Sequence, residues 1–285
     1  MTRTARTIVI LLLLAVVVLG GALVSRKKQA ADTSATPTAA AAQKKIIVYA
    51  PCGMSSPISS VAGVFRRAHP EITLDVEYFS APIIVRQIKE GAAPDVFMSP
   101  GELEMRQLVE AGSIDKETVR DFATLDLVII APKKSTVVQR IEDLTTSAVK
   151  TISLSDPKIN SSGYYGEAAL RSLGLWDKLQ DKIIVNASPL GAVEQVTSNR
   201  VDAGVAFLTC PLETAPDKAD RSDVRIINKI SRDKYPAIRC QMGILKNAVN
   251  RELAEQFIQF MQTEEAQKVV ATDGLLPIKE LGERK

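Results

Sequence analysis

The sequence is poor in histidine, cysteine and aromatic residues. Its 285 residues include one histidine, His69, three cysteines and 5% aromatic residues. A single histidine argues against a histidine-based metal site and against a serine–histidine–aspartate triad. The net charge is only +3, so the composition gives no reason to expect nucleic-acid binding. The hydrophobic content of 46% is instead typical of a globular protein with one large or two ordinary domains.

The first 43 residues are typical of a leader and a linker rather than of a folded domain. Arg3 and Arg6 precede an unbroken apolar run over residues 8–24. This pattern indicates either a cleaved signal peptide or a slightly short membrane anchor for residues 1–28. No cysteine lies near the end of the run, which argues against lipidation. Residues 29–43, rich in alanine, threonine and serine, predict a disordered tether, so the rest is expected outside the cytoplasmic membrane.

The remaining chain alternates between short apolar strand patterns and helical patterns, which predicts a parallel α/β sheet. A second series with the same rhythm begins after the apolar run that ends at Pro132. We therefore expect two α/β lobes, with lobe 1 formed by residues 44–131 and 240–285 and lobe 2 by residues 132–239. The chain is expected to cross between them near Ala131 and again near Cys240.

Three small-residue loops follow the first three predicted strands and contain Cys52, Ser80 and Ser99. In open α/β sheets, ligands bind at loops beyond the carboxyl ends of the strands. We therefore expect these three residues on one rim of a cleft.

Five motifs together resemble the periplasmic molybdate-binding proteins, which are solute receptors of ABC importers. The motifs are QIKEGAAPDVFMS at residues 87–99, GYYG at 163–166, LGLWDKL at 173–179, VDAGVAFLT at 201–209 and TEEAQ at 263–267. The resemblance implies a type II periplasmic binding-protein fold, in which two hinged lobes close on a small inorganic ligand without bond-making chemistry. It also implies an ABC permease in the membrane as partner, no nucleic acid, no prosthetic group, no enzymatic activity and a monomeric state.

The family holds its oxyanion with uncharged donors, namely serine and tyrosine hydroxyls and backbone N–H groups. The resemblance places the ligand-binding residues of this chain at Cys52, Gly53, Ser56, Ser80, Ser99, Tyr165, Phe207, Thr209 and Cys210. Several of the family's donors are replaced: Gly53 and Phe207 stand where it has hydroxyls, and Pro100 and Pro189 where it has backbone donors. Ser56 is close enough in sequence to substitute for the missing serine, and Tyr165 matches a family tyrosine with an expected structural role. Each missing hydrogen bond to a charged ligand costs about 1.5–3 kcal/mol of binding free energy. Several missing donors would therefore weaken the binding of molybdate or tungstate by several times this amount.

Sulfur is the candidate replacement for these donors. Cys52, Cys210 and Cys240 are all expected near the cleft or a crossover, and thiolates bind soft metals and metalloids. We hypothesise a three-sulfur site for a thiophilic metal ion or metalloid. There are two alternatives: two of the cysteines form a disulfide and the third is a thiol, or all three are unrelated cysteines of the core. The sequence thus predicts an extracytoplasmic receptor for molybdate, tungstate or a soft metal, with a membrane-tethered ligand sensor of the same fold as the alternative.

Overall fold

The computed structural model of the protein describes residues 44–213, 223–271 and 274–282. The predicted leader at residues 1–28 and the predicted tether at 29–43 lie outside the described residues. Among the residues described, no helix combines the length and apolar character needed to cross a membrane.

The described strands form two five-stranded sheets. The first has the order β2-β1-β3-β10-β4, and the second has the order β7-β6-β8-β5-β9. The first sheet consists of β1 (Lys45–Pro51), β2 (Thr73–Phe79), β3 (Val96–Ser99), β4 (Arg120–Ala123) and β10 (Cys240–Ile244). The second consists of β5 (Leu127–Pro132), β6 (Ile152–Ser155), β7 (Ile183–Asn186), β8 (Ala203–Phe207) and β9 (Val224–Lys229). The two sheets repeat one plan, with three parallel strands beside an antiparallel pair.

Helices connect the parallel strands and flank both sheets. The α-helices of the described residues are α1 (Ser55–Ala68), α2 (Ala81–Lys89), α3 (Glu102–Glu110), α4 (Ser161–Ser172), α5 (Trp176–Leu179), α6 (Pro189–Thr197), α7 (Thr209–Glu213), α8 (Arg251–Met261), α9 (Glu264–Val270) and α10 (Lys279–Gly282). Short 3-10 helices cover Cys52–Met54, Lys116–Thr118, Ile141–Thr145, Gln180–Lys182 and Arg232–Lys234.

Helix α1 illustrates how the helices attach to a lobe. Ile58, Val61 and Phe65 recur at helical spacing and are buried in the core. The ring of Phe65 packs edge-on against Phe257 of α8 at a centroid distance of 5.3 Å. This contact returns the carboxyl-terminal part of the chain to the first lobe, as the two-lobe prediction requires. The prediction of an α/β protein with two sheets is confirmed.

The first crossover lies earlier in the chain than the sequence predicts. Strand β5, which the sequence analysis assigns to lobe 1, pairs with β8 and β9 in the second sheet. The chain therefore crosses at residues 124–126, between β4 and β5, and the boundary near Ala131 is wrong. The sequence analysis missed β4, a short strand with a polar start that pairs with β10. An apolar run identifies a buried strand but does not reveal which sheet contains it.

A buried ion-pair network joins the two crossovers. Asp126 of the first crossover is fully buried and accepts hydrogen bonds from Arg232 Nε at 2.7 Å and from Lys229 Nζ at 2.5 Å. Arg232, on the second crossover, also contacts Glu280 of α10 at 3.1 Å. Burial alone would raise the pKa of Asp126, but the hydrogen bonds from Arg232 and Lys229 outweigh it and lower that pKa. The network ties both connecting segments to the first lobe.

We expect Asp126→Asn to lower the free energy of unfolding, because it leaves two cations without their counter-charge. The loss should be about 2–3 kcal/mol, below the value of about 3–5 for a fully buried pair, since both cations are partly exposed. The measurement is chemical denaturation, with Asp75→Asn at an exposed ion pair as control, for which about 0–1 kcal/mol is expected.

The difference in unfolding free energy between wild type and Asp126→Asn depends on pH, and its direction follows from the lowered pKa of Asp126. A carboxyl whose pKa is lowered by folding stabilises the native state above its unfolded pKa of about 3.9, and the contribution is lost as the pH falls through the folded value. The gap between wild type and Asp126→Asn should therefore shrink in acid. Equal effects of the two substitutions at neutral pH would contradict the network's role.

Candidate functional site

A small cavity lies where the carboxyl ends of strands from both sheets meet. Its volume is about 20 Å³, far below the roughly 300–1,000 Å³ of sites for drug-sized molecules. The lining residues are Pro51, Cys52, Gly53, Met54, Ser80, Ala81, Pro100, Pro189, Phe207, Thr209 and Cys210. In this conformation the cavity has room for about one water molecule and not for an organic cofactor.

The wall from the first lobe is built by two strand-to-helix turns. Strand β1 leads into the 3-10 helix that contains Cys52 and Gly53, and α1 starts directly after it. Strand β2 leads to Ser80, the residue before α2. Ser80 does not cap α2 with its side chain, so its hydroxyl is not used for that purpose. Each turn thus presents small residues and the amino end of a helix to the cavity.

The wall from the second lobe has one polar atom that lacks a partner. Phe207 ends β8, and Thr209 and Cys210 begin α7. Thr209 is 1% exposed, and its Oγ1 has no hydrogen-bond partner among the described residues. A buried polar atom without a partner in a native protein calls for a water, an ion or a ligand. Thr209 is therefore the strongest indication that the cavity receives a polar guest.

The walls carry no charged side chain among the lining residues given above. The amino ends of α1, α2 and α6 point their partial positive charge toward this region. Pro51, Pro100 and Pro189 have no backbone N–H, which reduces the number of available donors. This surrounding favours an anion over a hard cation, because hard cations require carboxylate or carbonyl oxygens.

The two lobes touch at two glycines of the first lobe. A side chain on Gly53 would place its first carbon 3.0 Å from Cys210 Sγ. A side chain on Gly101 would come within 2.5 Å of Ser161 Oγ and 3.0 Å of Tyr165. Gly101 therefore has no room for a side chain against the opposite lobe, and a side chain on Gly53 would require Cys210 to shift by a few tenths of an ångström. The structure shows the lobes in a closed arrangement.

The predicted three-sulfur site is not formed. Cys52 and Cys210 line the cavity from opposite lobes, but Cys240 does not line it. Cys240 is fully buried in β10, and its thiol contacts the carbonyl oxygen of Pro100 at 3.6 Å. Its pKa is raised by burial and by the charges of Asp121 and Glu104, so the thiol stays protonated. The described residues contain no group of three side chains able to hold a metal ion, and none of the three cysteines is in a disulfide.

Three other predicted site residues lie outside the cavity lining. Ser56 is in the first turn of α1, and Ser99 is buried and donates its hydroxyl hydrogen bond to the carbonyl oxygen of Gly101. The Tyr165 hydroxyl donates to Glu102 Oε2 at 3.2 Å. Burial, and then the charge of Glu102, raises the pKa of Tyr165 above its ordinary value. Ser99 and Tyr165 therefore support the site's surroundings rather than its wall.

Sequence reasoning missed several residues near the site. Pro51, Met54 and Ala81 line the cavity simply because they neighbour the predicted positions. Glu104 was also missed, although it lies between Leu103 and Met105 on a helix that buries this stretch. A carboxylate flanked by two buried apolar residues was the signal that could have identified it.

The comparisons with known proteins agree with this geometry. The model of the bacterial extracellular solute-binding proteins matches residues 46–276. The protein YvgL of Bacillus subtilis is 28% identical to this chain, and the match covers 79% of this chain and 83% of YvgL. The molybdate-binding protein ModA of Haemophilus influenzae is 26% identical, and that match covers 80% of this chain and 89% of ModA. The periplasmic molybdate-binding protein of Azotobacter vinelandii superposes with a TM-score of 0.68 at 24% identity, over 81% of this chain and 98% of that chain. The resemblance and the periplasmic binding-protein fold expected from the sequence are confirmed.

We expect only one of the three thiols to react readily in the native protein. Cys52 is partly exposed, whereas Cys210 and Cys240 are 2% and 0% exposed. Ellman's reagent should titrate about one thiol in buffer and all three in denaturant, and Cys52→Ser should remove the native reaction. Rapid native reaction of Cys210 would show that the lobes are not closed as described.

Proposed function

Because the chain belongs to the bacterial extracellular solute-binding proteins, we propose that it is the receptor of an ABC importer for a small inorganic oxyanion of the molybdate class. The lobes close on the ion, and the loaded receptor delivers it to a membrane permease from outside the cytoplasmic membrane. The observation that carries the proposal is the closed cavity with the Thr209 hydroxyl, which has no hydrogen-bond partner among the described residues. The protein binds the ion non-covalently and does not catalyse a reaction.

The chemistry of the walls supports an oxyanion. Ser80 and Thr209 supply hydroxyl donors from opposite lobes, and the starts of α1 and α2 supply backbone N–H groups. Fixed neutral donors can replace the hydration of a divalent anion without a counter-charge. The relative named for molybdate points the same way. Tungstate, which is chemically close to molybdate, belongs to the same proposal.

A thiophilic ion is the second candidate, favoured by one specific observation. Cys52 and Cys210 line the same cavity from opposite lobes, so a ligand bound by both thiols would also hold the lobes together. Thiolates bind Cu(I), Zn²⁺ and trivalent arsenic. This site has two sulfur atoms rather than the three predicted from the sequence, which makes it a weaker site for these ions.

The sensor alternative depends on an anchored amino terminus. Residues 1–43, which would supply the anchor and the tether, lie outside the described residues. None of the relatives named above favours sensing over transport. We therefore retain transport as the proposed function.

Calorimetric titration with molybdate, tungstate and sulfate tests the oxyanion proposal. Molybdate should bind, and Ser80→Ala and Thr209→Val should each weaken binding about 10- to 100-fold, because each removes one hydrogen bond worth about 1.5–3 kcal/mol to a charged ligand. Ser60→Ala and Thr73→Val remove exposed hydroxyls of the first lobe and should change nothing.

Titration of the reduced protein with Cu(I) and arsenite separates the two candidates. If the ligand is an oxyanion, Cys52→Ser and Cys210→Ser should leave molybdate affinity within about threefold, since a hydroxyl replaces a thiol of similar size. If the ligand is thiophilic, molybdate should not bind, and each substitution should abolish arsenite binding. Unchanged molybdate affinity in both Ser80→Ala and Thr209→Val would contradict the proposed site.

A further inference from the structure

A carboxylate of the first lobe is hydrogen-bonded to the second lobe, and neither partner belongs to the cavity lining. Glu104 of α3 is 0% exposed. Its Oε1 accepts a hydrogen bond from Ser161 N at 2.8 Å, and its Oε2 accepts one from Ser161 Oγ. Ser161 is the first residue of α4, which belongs to the second lobe. One side chain therefore joins the two lobes through a pair of hydrogen bonds.

The contact resembles an anion-binding site at a helix start, with the carboxylate of Glu104 as the bound anion. The first N–H groups of a helix have no partner within the helix and favour negative charge. At the start of α4, the Asn160 side chain accepts from Ser162 N at 2.9 Å, and Glu104 accepts from Ser161 N. The carboxylate thus occupies a position where a free anion would otherwise be favoured.

Glu104 is buried, and no lysine or arginine of the described residues forms an ion pair with it. None of the described lysines or arginines is among the groups that shift its pKa most. Burial raises the pKa of Glu104, and the hydrogen bonds from Ser161 oppose this only in part. A carboxyl in such a place takes up a proton more readily than one in water.

The titratable groups around Glu104 are a thiol, a phenol and two further carboxyls. Cys240 of β10 faces it, and burial raises the pKa of that thiol. Tyr165 of α4 is hydrogen-bonded to Glu102, and burial raises its pKa as well. Asp121, which faces Cys240, forms an ion pair with Arg239. Among these carboxyls, Glu104 is the one that is fully buried at the contact between the lobes.

We propose that Glu104 is a latch between the lobes, a positioning residue whose bonds to Ser161 hold α4 against the first lobe. This inference rests on the proposed function, because it concerns closure of the same cleft. Closure then depends on a contact within the protein as well as on the ligand. The ligand-free protein should accordingly populate the closed form.

The sign of the pH effect follows from linkage. The closed form binds a proton at Glu104 more tightly than an open form in which the carboxyl is hydrated, with a pKa of about 4.3. Closure is therefore most favourable in acid and weakens as the pH rises through the raised pKa of the closed form.

The first experiment measures closure in ligand-free protein. Hydrogen exchange at the Ser161 amide and small-angle X-ray scattering are compared for wild type, Glu104→Ala and Glu110→Ala, an exposed position at the end of the same helix. Glu104→Ala should lose about 10- to 100-fold of the protection at Ser161, as expected for a hydrogen bond to a charged group, and should show a larger radius of gyration. Glu110→Ala should match wild type. Unchanged protection and radius in Glu104→Ala would overturn the latch.

The second experiment uses pH and does not depend on the folding of the alanine variant. As the pH is raised above about 4.3, the ordinary pKa of a glutamate, the protection factor of Ser161 should fall in wild type and stay constant in Glu104→Gln, which cannot titrate. Parallel profiles in the two proteins would overturn the role of Glu104. Because both experiments omit ligand, a failed molybdate titration would leave them interpretable, and a failed latch would leave the titration interpretable.

Discussion

The structure depends on a repeated strand order that brings two sets of helix amino ends face to face. In each sheet, three parallel strands lie beside an antiparallel pair, and the chain crosses between the sheets next to that pair. The carboxyl ends of the parallel strands, followed by helix starts, therefore meet across one cleft. This arrangement creates a region of positive potential without charged side chains, and the cavity forms there. The proposed oxyanion function follows from this geometry more than from any single residue.

Two buried carboxylates outside the cavity lining connect parts of the two lobes. Asp126 joins the two crossovers through Arg232, and Glu104 joins the lobes through Ser161. Both are fully buried carboxylates, but the first has cations as partners and the second has only hydrogen-bond donors. Their electrostatic roles consequently differ: the pKa of Asp126 is lowered, whereas that of Glu104 is raised. A protein with few donors in its cavity can in this way hold its lobes together by other contacts.

The sequence predicted the α/β lobes because strand and helix periodicity is local. It predicted six of the cavity residues, among them Cys52 and Ser80, which follow predicted strands, and Thr209, which ends a motif that resembles the family. It failed where tertiary pairing decides. The apolar run of β5 looked the same whichever sheet it joined, and Cys240 appeared near the cleft although β10 buries its thiol against Pro100. Glu104 was missed because its partner, 57 residues away, is known only from the fold.

The most direct test is a crystal structure of the protein grown with molybdate, with anomalous diffraction data collected at the molybdenum absorption edge. The account predicts one strong anomalous peak inside the cavity, within hydrogen-bonding reach of the hydroxyls of Ser80 and Thr209. A peak elsewhere on the protein, or no peak at a molybdate concentration that saturates the relatives, would contradict the assignment of this cavity as the ligand site.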